Sequence, residues 1–408
     1  MLLEPNPFQD FYRGEILFED QIGIVFASPF LLNLLKEATI MFADATFKVV
    51  PTNFSGGQLF NILTEVRGIV LPIVHILMSG KKLGLYKAAL EKVKELENDF
   101  SPIISMVDYE AAILNALKSS FPNIRITGCR FHFGQSILKK IKAVGLQTEY
   151  VHDNVIRKWG KKYIALCMLP SYLVQGELTK LKIITAQFPR ADIKEKMKRF
   201  ESYFDHFWMG CKTPNHFSVF GLKHRTNNVS ESLHSKMSRN MTSHTGFWRF
   251  LDQLVHQIIL PTEVEVRQME NGENPRPAPR RDRQKTAEKL NLYECRLNSG
   301  EWTPTKFLDS CAHLFSDLKM PLDENVQELV ETELIGLNAF QTISNIDPTE
   351  PSDESKCKVC YVNRLEVLIL PCRHFSLCHR CKEILSLNND KRCPICRADI
   401  AEFVSVFY

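Results

Sequence analysis

Two aspartates interrupt stretches of sequence that are otherwise suited to buried strands. Asp44 lies inside the apolar, small and β-branched run Thr39–Val50, and Asp108 ends a second short apolar run. A carboxylate inside a sheet is costly unless it is paired, hydrogen-bonded or bound to a metal ion. Two strands that each carry an aspartate therefore predict one shared site, while the alternative for Asp44 is a strand-end residue facing solvent.

Glu231 is the third acidic residue that we assign to this site. Asn227 or Asn228 can cap a helix whose first turn carries Glu231. Three carboxylates from two strands and a helix can hold two Mg²⁺ ions about 3.5–4 Å apart, one to activate a hydroxyl or water and one to stabilise the leaving oxygen. This arrangement predicts phosphodiester chemistry.

A second group of chemically active residues lies at the C-terminal end of the chain. It supplies eight soft or borderline ligands at regular spacing, enough for two tetrahedral zinc ions: Cys357, Cys360, Cys372, His374, Cys378, Cys381, Cys393 and Cys396. A segment of about 50 residues without a large hydrophobic core needs bound metal ions of this kind to stabilise its fold. The alternative is a set of free cysteines in a reducing compartment.

The elements that position the carboxylates follow from hydrophobic periodicity and turn residues. We predict strands at Gln58–Arg67, Ile69–Met78 and Ile124–Thr127, helices at Lys82–Asn98 and Ala111–Ser120, and a helical region from Ile137 to about Leu222. The predicted domains are a lead-in at 1–38, an α/β core at 39–262 with a helical insertion at 137–222, a basic flexible segment with a short helix at 263–320, an acidic linker at 321–356 and a small zinc-stapled α+β domain with a tail at 357–408.

Composition sets limits on the class of protein. The 408 residues carry a net charge of +4, too small to indicate nucleic-acid binding by itself, but Arg157–Arg199 holds eleven Lys or Arg against three acids. A solvated helix face explains such a run equally well. No stretch reaches the ~18–20 apolar residues of a membrane helix. With no basic-then-apolar start, we expect no membrane association and an intracellular, nuclear protein.

Several motifs in one order resemble those of Mutator-like element (MULE) transposases. They are Phe42-Ala-Asp-Ala-Thr-Phe47, Val107-Asp-Tyr-Glu-Ala-Ala112, Phe121-Pro122, Gly128-Cys-Arg-Phe-His132, and Arg225-Thr-Asn-Asn228 with Glu231 and His234. The resemblance implies an RNase H-like mixed sheet, a DDE triad at Asp44, Asp108 and Glu231, Mg²⁺ or Mn²⁺ as cofactor and DNA as partner. The chain departs from the family by having Ala45 where Gly is usual, and we find no zinc finger ahead of residue 15.

The pair Cys129-x₂-His132 has two readings. Two ligands at this spacing can share a zinc ion, but a structural zinc requires four ligands, and no companion pair stands at convincing spacing. A packing cysteine beside a polar histidine near the active site is the alternative. The resemblance marks both residues as motif positions without settling their role.

The order of the C-terminal ligands is that of a RING finger, and Leu370–Cys378 and Cys393–Arg397 resemble the RINGs of inhibitor-of-apoptosis proteins. The resemblance implies cross-braced binding of two zinc ions. Cys357, Cys360, Cys378 and Cys381 would hold one ion, and Cys372, His374, Cys393 and Cys396 the other. It also implies a ubiquitin-conjugating enzyme as partner, docked on Val359, Leu370 and Pro394, with Arg397 as the linchpin cation.

The apolar and aromatic tail that ends at Tyr408 predicts a partner strand, because a lone terminal strand is unstable. RINGs of the inhibitor-of-apoptosis type pair through a similar tail, so we expect a RING homodimer, with a tail folded onto its own RING as the alternative. The whole chain reads as a DDE transposase-like protein, active or domesticated, that carries a RING. The alternative is a RING-type ubiquitin ligase that uses an inactive transposase core as a binding platform.

Overall fold

The computed structural model describes residues 6–54, 56–278, 280–314, 357, 359, 364–387, 392–396 and 398–405. The chain divides into two compact units. The first comprises Met1–Asp108, Ala112–Cys129 and Leu222–Asn291, and the second comprises Tyr109–Ala111, Arg130–Gly221 and Leu292–Tyr408. No described helix is long and apolar enough to cross a membrane.

The first unit is built on a seven-stranded mixed sheet. Its strands are β1 (Tyr12–Phe18), β2 (Gln21–Phe26), β3 (Ile40–Thr46), β4 (Gln58–Val66), β5 (Ile69–Met78), β6 (Ile104–Val107) and β7 (Arg125–Gly128). They lie in the order β1-β2-β5-β4-β3-β6-β7. The neighbouring pairs β1–β2, β2–β5, β5–β4 and β4–β3 are antiparallel, whereas β3–β6 and β6–β7 are parallel.

The hairpin of β4 and β5 shows how local sequence sets this sheet. Arg67 and Gly68 both have positive φ, 48° and 89°, as a two-residue turn that matches strand twist requires. Pro72 interrupts β5, but it sits beside a register shift between Ile62 and Leu63, and a bulge is where a sheet tolerates proline. Both strands coincide closely with the predicted ranges.

The predicted lead-in at residues 1–38 needs correction, because two of its segments are strands of the sheet. β2 pairs with β5 from Gly23↔Met78 to Phe26↔His75, and β1 pairs with β2. The signal was the β-branched run of residues 21–26, whose last four residues are buried. The lead-in also contains a short helix, α1 (Pro29–Leu32), with Ser28 as its N-cap, followed by a 3₁₀ turn at Asn33–Glu37.

Helices complete the first unit: α2 (Leu83–Leu96), α3 (Ala111–Ser120), α10 (Asn228–Asn240), α11 (Phe247–Leu254), a π-helical turn at Val255–Ile259, and α12 (Leu260–Glu270). The segment predicted to be basic and flexible also needs correction. Its proline-rich part has no helix in the described residues, but α13 spans Arg281–Asn298. The helix begins where the prolines and glycines end, which is where backbone hydrogen bonding can resume.

The second unit contains α4 (Arg130–Ala143), α5 (Gln147–His152), α6 (Asn154–Ala165), α7 (Ser171–Ala186), α8 (Ala191–Phe204), a π-helical stretch at Asp205–Lys212, α9 (Thr213–Phe217) and α14 (Pro304–Ala312). Its aromatic residues form a core of edge-to-face contacts. Trp159, Tyr163, Phe200 and Trp208 are at most 1% exposed. They pack the helices together and are not available for stacking on bases.

The C-terminal region forms a three-stranded sheet of β8 (Val367–Leu370), β9 (His374–Leu377) and β10 (Glu402–Ser405), in the order β10-β8-β9, with α15 (His379–Leu387). Val367, Ile369 and Leu377 are fully buried in its small core. The predicted acidic linker at 321–356 lies outside the described residues.

Candidate functional site

The sheet brings two of the predicted carboxylates to neighbouring positions at one edge. Ala43 of β3 pairs with Val107 of β6 in parallel register, so Asp44 and Asp108 each come one residue later along adjacent strands. Neighbouring strands lie about 4.8 Å apart, and in-register side chains on parallel strands point to the same face. Asp44 and Asp108 therefore share one face of the sheet.

Asp44 is held by hydrogen bonds and does not project into solvent. Its side chain is 17% exposed. The backbone N–H of Ala45 donates to Oδ1 over 2.8 Å, and Nδ2 of Asn227 donates to Oδ2 over 3.3 Å. The alternative of a solvent-facing strand-end residue is therefore wrong for Asp44.

Helix α10 presents its first turns to β3. Asn227, Glu231 and His234 stand at i, i+4 and i+7, which places them on one helix face. Two of the three reach Asp44, since Nδ1 of His234 lies 3.9 Å from Oδ2. Glu231 lies between them on the same face and is partly buried. The carboxylates of Asp44, Asp108 and Glu231 do not all lie within 4.8 Å of one another.

Asn227 occupies the predicted N-cap position, but its side chain does not cap the backbone. Its Nδ2 goes to Asp44, and its Oδ1 accepts a hydrogen bond from the Ser230 hydroxyl at 2.7 Å. The backbone N–H of Asn227 donates to the thiol sulfur of Cys129 at 3.2 Å. The start of α10 is thus fixed by contacts with distant parts of the chain.

A cluster around Glu65 anchors the segment that leads into α10. Nε2 of His224 lies 2.6 Å from the Glu65 carboxylate, and Lys223 forms an ion pair with the same group. The ring of His224 packs edge-on against Phe42, with 5.2 Å between centroids. Burial acts to raise the pKa of Glu65, but hydrogen bonds from Lys223 and His224 hold it below its ordinary value.

His234 has an unusual environment for a histidine near two carboxylates. Burial lowers its pKa to about 4, against the opposing effect of the negative charge of Asp108. Its Nε2 atom is buried and meets no hydrogen-bond partner among the described residues. A buried polar atom left unsatisfied costs about 1–3 kcal/mol. The ring is neutral at pH 7 and retains ligand capacity.

A row of polar side chains continues across the sheet behind Asp44. Asn61 of β4 pairs with Asp44 on one side and with His75 of β5 on the other, so the three side chains share a face. Nδ1 of His75 lies 2.7 Å from Oδ1 of Asn61, and complete burial lowers the pKa of His75 to about 3. Sequence reasoning missed this row, although a polar residue in each of two apolar strands was the available signal.

Cys129 and His132 do not form a metal site with other ligands in the described part of the chain, where neither belongs to a group of three or more His, Cys, Asp or Glu. Cys129 is fully buried and accepts the hydrogen bond from Asn227. This observation favours the packing alternative for Cys129.

The structure groups the C-terminal ligands into two clusters. Cys372, His374, Cys393 and Cys396 lie with their ligand atoms within 4.8 Å of one another, and Cys357, Cys378 and Cys381 form the second group. The predicted eighth ligand, Cys360, lies outside the described residues. Thiolate sulfur and imidazole nitrogen in sets of this kind match the donors of structural zinc.

Protonation of the thiols in the first cluster is uneven. Burial raises the pKa of Cys393 to about 11, whereas backbone and side-chain hydrogen bonds with His374 outweigh burial and lower the pKa of Cys372 to about 7. Zinc binds thiolates, so its binding releases the remaining protons.

The predicted docking residues for a conjugating enzyme divide into two kinds. Leu370 and Pro394 are partly exposed, but Val359 is only 2% exposed and packs in the RING core, so the prediction for Val359 needs correction. Ile395, which sequence reasoning missed, is 48% exposed beside Pro394. The predicted linchpin, Arg397, lies outside the described residues.

The described part of the C-terminal tail pairs with its own RING. β10 runs antiparallel to β8, from Glu402↔Leu370 to Ser405↔Val367. Phe403 packs against the RING core, and Val404 is 36% exposed. Residues 402–405 thus follow the alternative of a tail folded onto its own RING, and Val406, Phe407 and Tyr408 lie outside the described residues.

Comparison with known families identifies two segments of the chain. Residues 40–136 match the MULE transposase domain, and residues 353–403 match the zinc finger of C3HC4 type, the RING finger. The first match contains Asp44 and Asp108, and the second contains all eight predicted zinc ligands. Both resemblances predicted from the sequence are confirmed for these segments.

Curated relatives match over short stretches. Apoptosis inhibitor 1 of Orgyia pseudotsugata multicapsid polyhedrosis virus is 41% identical over 56 residues, 14% of this chain and 19% of that protein. E3 ubiquitin-protein ligase RNF26 of Mus musculus is 35% identical over 77 residues, 17% of this chain and 18% of that protein. The probable E3 ubiquitin-protein ligase LUL4 of Arabidopsis thaliana is 34% identical over 74 residues, 18% of this chain and 20% of that protein. The chain spans about a fifth of the length of these relatives.

Proposed function

For a chain that joins a MULE transposase domain to a C3HC4 RING finger, we propose that the RING acts as a ubiquitin ligase. The observation that carries the proposal is the pair of Cys/His ligand groups. Two zinc ions held there would fix the surface that recruits a ubiquitin-conjugating enzyme. The relatives named as E3 ubiquitin-protein ligases support this activity.

The partly exposed apolar residues Leu370, Pro394 and Ile395 offer that surface. The RING itself forms no covalent bond with ubiquitin. It holds the conjugating enzyme while a lysine amine attacks the thioester, so an isopeptide bond forms as the enzyme's thiol leaves. Exposed apolar side chains that flank zinc ligands suit this role, because the bound ions hold them rigid.

Ubiquitin transfer by the full-length chain tests this proposal. Replacing Ile395 with Ala should lower self-ubiquitylation about tenfold or more, as truncation of an interface anchor does, with zinc content unchanged. Ile183→Ala is the matched control, because Ile183 is equally exposed, at 50%, on a helix of the second unit. Equal transfer by the wild type and the Ile395→Ala and Cys393→Ser variants would refute the ligase assignment.

A second function is favoured by the placement of Asp44 and Asp108 side by side on parallel strands. We propose that the first unit is RNase H-like and carries out metal-dependent cleavage and strand transfer of DNA. The order β5-β4-β3-β6-β7, with β4 antiparallel to its neighbours, supports the RNase H-like assignment.

Asp44, Asp108 and Glu231 would hold Mg²⁺ or Mn²⁺, and an orphaned buried nitrogen on His234 fits a site that takes a cation. Two bound ions would supply an activated attacking oxygen and a stabilised leaving oxygen. The protein itself orients the carboxylate ligands. The hydrogen bonds from Ala45 and Asn227 fix the Asp44 carboxylate.

Nuclease assays with Mg²⁺ or Mn²⁺ test this second function. Asp44→Asn or Asp108→Asn keeps the shape but removes the charge that holds the metal, so cleavage should fall by orders of magnitude while DNA binding is retained. Glu37→Gln, at an exposed acid of the same unit, should be silent. Equal cleavage with and without Asp44 would show that the site is wrongly assigned. A wild-type protein that binds DNA but never cuts it would favour the inactive platform.

An exposed aromatic residue near Asp44 supports DNA as the substrate. Phe47 follows β3 directly, is 48% exposed, and lies beneath the ammonium group of Lys81 at 4.1 Å from the ring centroid. A ring of this kind can stack on an unpaired base while the cation contacts phosphate. Within the basic run of the second unit, six cations already form ion pairs: Lys162, Lys180, Lys182, Arg190, Lys196 and Arg199. Their ion pairs weaken the case for a DNA surface there.

A nuclear location and a RING homodimer belong to the same proposal. Action on DNA requires access to the nucleus, which fluorescence microscopy of the tagged chain tests directly. The exposed side chain of Val404 on the edge strand β10 supports pairing of a second copy through the tail. Light scattering of the full-length chain should give the dimer mass.

A further inference from the structure

We propose that the first half of α13, together with the residue before it, binds the phosphate backbone of double-stranded DNA. The inference rests on DNA as the partner proposed for the first unit, and it assigns the surface that holds a duplex. The contact requires no catalytic metal ion, so it can be tested apart from cleavage.

The first observation is the exposure of this part of α13. Every residue from 280 to 289 is exposed except Thr286, which is half-buried. Two of these residues are acids, Asp282 and Glu288, and five are cations: Arg280, Arg281, Arg283, Lys285 and Lys289. A helix that is polar all round has no apolar face to bury, so packing against the sheet does not account for it.

The second observation is that these five cations are not neutralised within the described fold. Arg276 pairs with Glu265, and Arg296 pairs with Glu301, on either side of the segment. None of the five cations between them forms an ion pair in the described part of the chain. The basic run of the second unit differs, because six of its cations are already paired. Uncompensated like charges repel one another until an anionic partner or counterions bind.

The third observation is the arrangement of three of these cations in one row. Arg281, Lys285 and Lys289 stand at i, i+4 and i+8, so successive members lie about 6 Å apart along the helix axis. Leu290 and Glu294 mark the opposite side of the helix and are only 6% and 8% exposed. The row, which we call the basic stripe, therefore points away from the buried side of α13.

The chemistry of this surface favours a phosphate backbone over other anionic partners. A helix that binds a membrane surface needs an apolar face, and a helix that docks in a protein groove uses apolar anchors. Ala287 is the one apolar residue between positions 280 and 289. Duplex DNA carries one charge per about 3.4 Å of axis on each strand, and Lys and Arg bind it by releasing counterions. The basic stripe meets this requirement with charge alone.

Fluorescence anisotropy with a duplex of about 30 base pairs tests the proposal on the full-length, zinc-loaded chain without added Mg²⁺ or Mn²⁺. The triple variant Arg281→Gln/Lys285→Gln/Lys289→Gln should bind about tenfold more weakly or worse near 0.1 M salt. Its slope of log K against log salt should fall by about 2–3, because each phosphate contact contributes about 0.9. Gln is nearly as good a helix former as Lys or Arg, so circular dichroism should be unchanged. The exchange variant Arg281→Lys/Lys285→Arg/Lys289→Arg keeps the charge and should bind like the wild type.

The matched control is Lys182→Gln/Arg190→Gln/Arg199→Gln in the second unit. It removes the same charge from exposed or partly exposed positions, but each of these cations already has a carboxylate partner. Its affinity for the duplex should therefore change less than about threefold. An equal loss in both triple variants would show a general effect of net charge and would overturn the proposed surface.

The remaining outcomes separate this surface from the proposed catalytic function. If the basic-stripe variant binds the duplex as tightly as the wild type, with the same salt slope, the surface is wrong and DNA binding belongs to another face. If that variant loses binding but the wild type never cuts DNA, the surface stands and the strand-transfer function falls. A wild type that binds no duplex would overturn both. Vesicles containing phosphatidylserine give the last comparison, since loss of vesicle binding with full duplex binding would identify a membrane as the partner and refute the proposal.

Discussion

Replacing Glu65 with Gln should loosen the segment that precedes α10 and holds this helix against the sheet face of Asp44 and Asp108. The carboxylate accepts a 2.6 Å hydrogen bond from His224 and pairs with Lys223, and its side chain is only 18% exposed. Gln keeps the shape and one acceptor but removes the charge. Because Asn227 and Glu231 follow directly on this segment, the change should reach Asp44 through α10.

The structure allows the size of this effect to be estimated. A hydrogen bond to a charged group contributes about 1.5–3 kcal/mol, and a neutral one about 0.5–1.5 kcal/mol. Lys223 is 65% exposed, so its ion pair adds less than about 1 kcal/mol. The Glu65→Gln variant should therefore lose about 1–2 kcal/mol of unfolding free energy, or about 2–8 °C in Tm for a unit of this size.

Thermal unfolding at two pH values checks both the size and the cause. The folded pKa of Glu65 is lowered, so its contribution is present above the ordinary value of 4.5 and is lost as the pH falls through the lower folded value. The difference in Tm between wild type and Glu65→Gln should be full at pH 7 and shrink well below pH 4.5. Glu37→Gln, at an exposed acid, serves as control. A difference that is absent at pH 7, or equally large at pH 3, would refute the reasoning.

Three further predictions concern metal, DNA and assembly. Native mass spectrometry should find two zinc ions per chain, and a chelator should unfold the RING, because each structural site supplies about 10–16 kcal/mol; a RING that stays folded would contradict this. Phe47→Ala should weaken single-stranded DNA binding by about 1–3 kcal/mol and Phe47→Trp should not; equal binding by both would exclude stacking. Deletion of residues 406–408 should leave zinc bound but abolish dimerisation and ubiquitin transfer together, and an active monomer, with and without the deletion, would disprove the homodimer.

Elements that depend on neighbouring residues were predictable from the sequence. The β4–β5 hairpin was correct because Arg67-Gly68 supplies the turn and both flanking runs are apolar. The RING segment was recognisable because its ligands recur at short spacing, so the chemistry of each pair is visible in a few residues. The strands of Asp44 and Asp108 were found for a similar reason, since a charge inside an apolar run stands out locally.

Elements that depend on distant partners were missed. β1 and β2 join the sheet through β5, about 50 residues later, and nothing within residues 12–26 identifies that partner. Val359 was assigned to a surface by position in a motif, but its burial depends on how β8 and β9 close the RING core. Burial of single side chains follows from packing, which short-range patterns do not contain.

Asn227 shows how local and distant demands compete at the functional site. Local chemistry gives an asparagine before a helix the role of capping the first turn. In the folded chain its Nδ2 instead donates to Asp44, 183 residues earlier in the sequence, and Oδ1 is taken by Ser230. Capping requires the amide oxygen as acceptor, but Oδ1 accepts from the Ser230 hydroxyl while Nδ2 donates to the carboxylate, so the two contacts together turn the amide away from the backbone of the first turn. The orientation of Asp44 is consequently coupled to the docking of α10, and the carboxylate site forms only when both the sheet and this helix are in place.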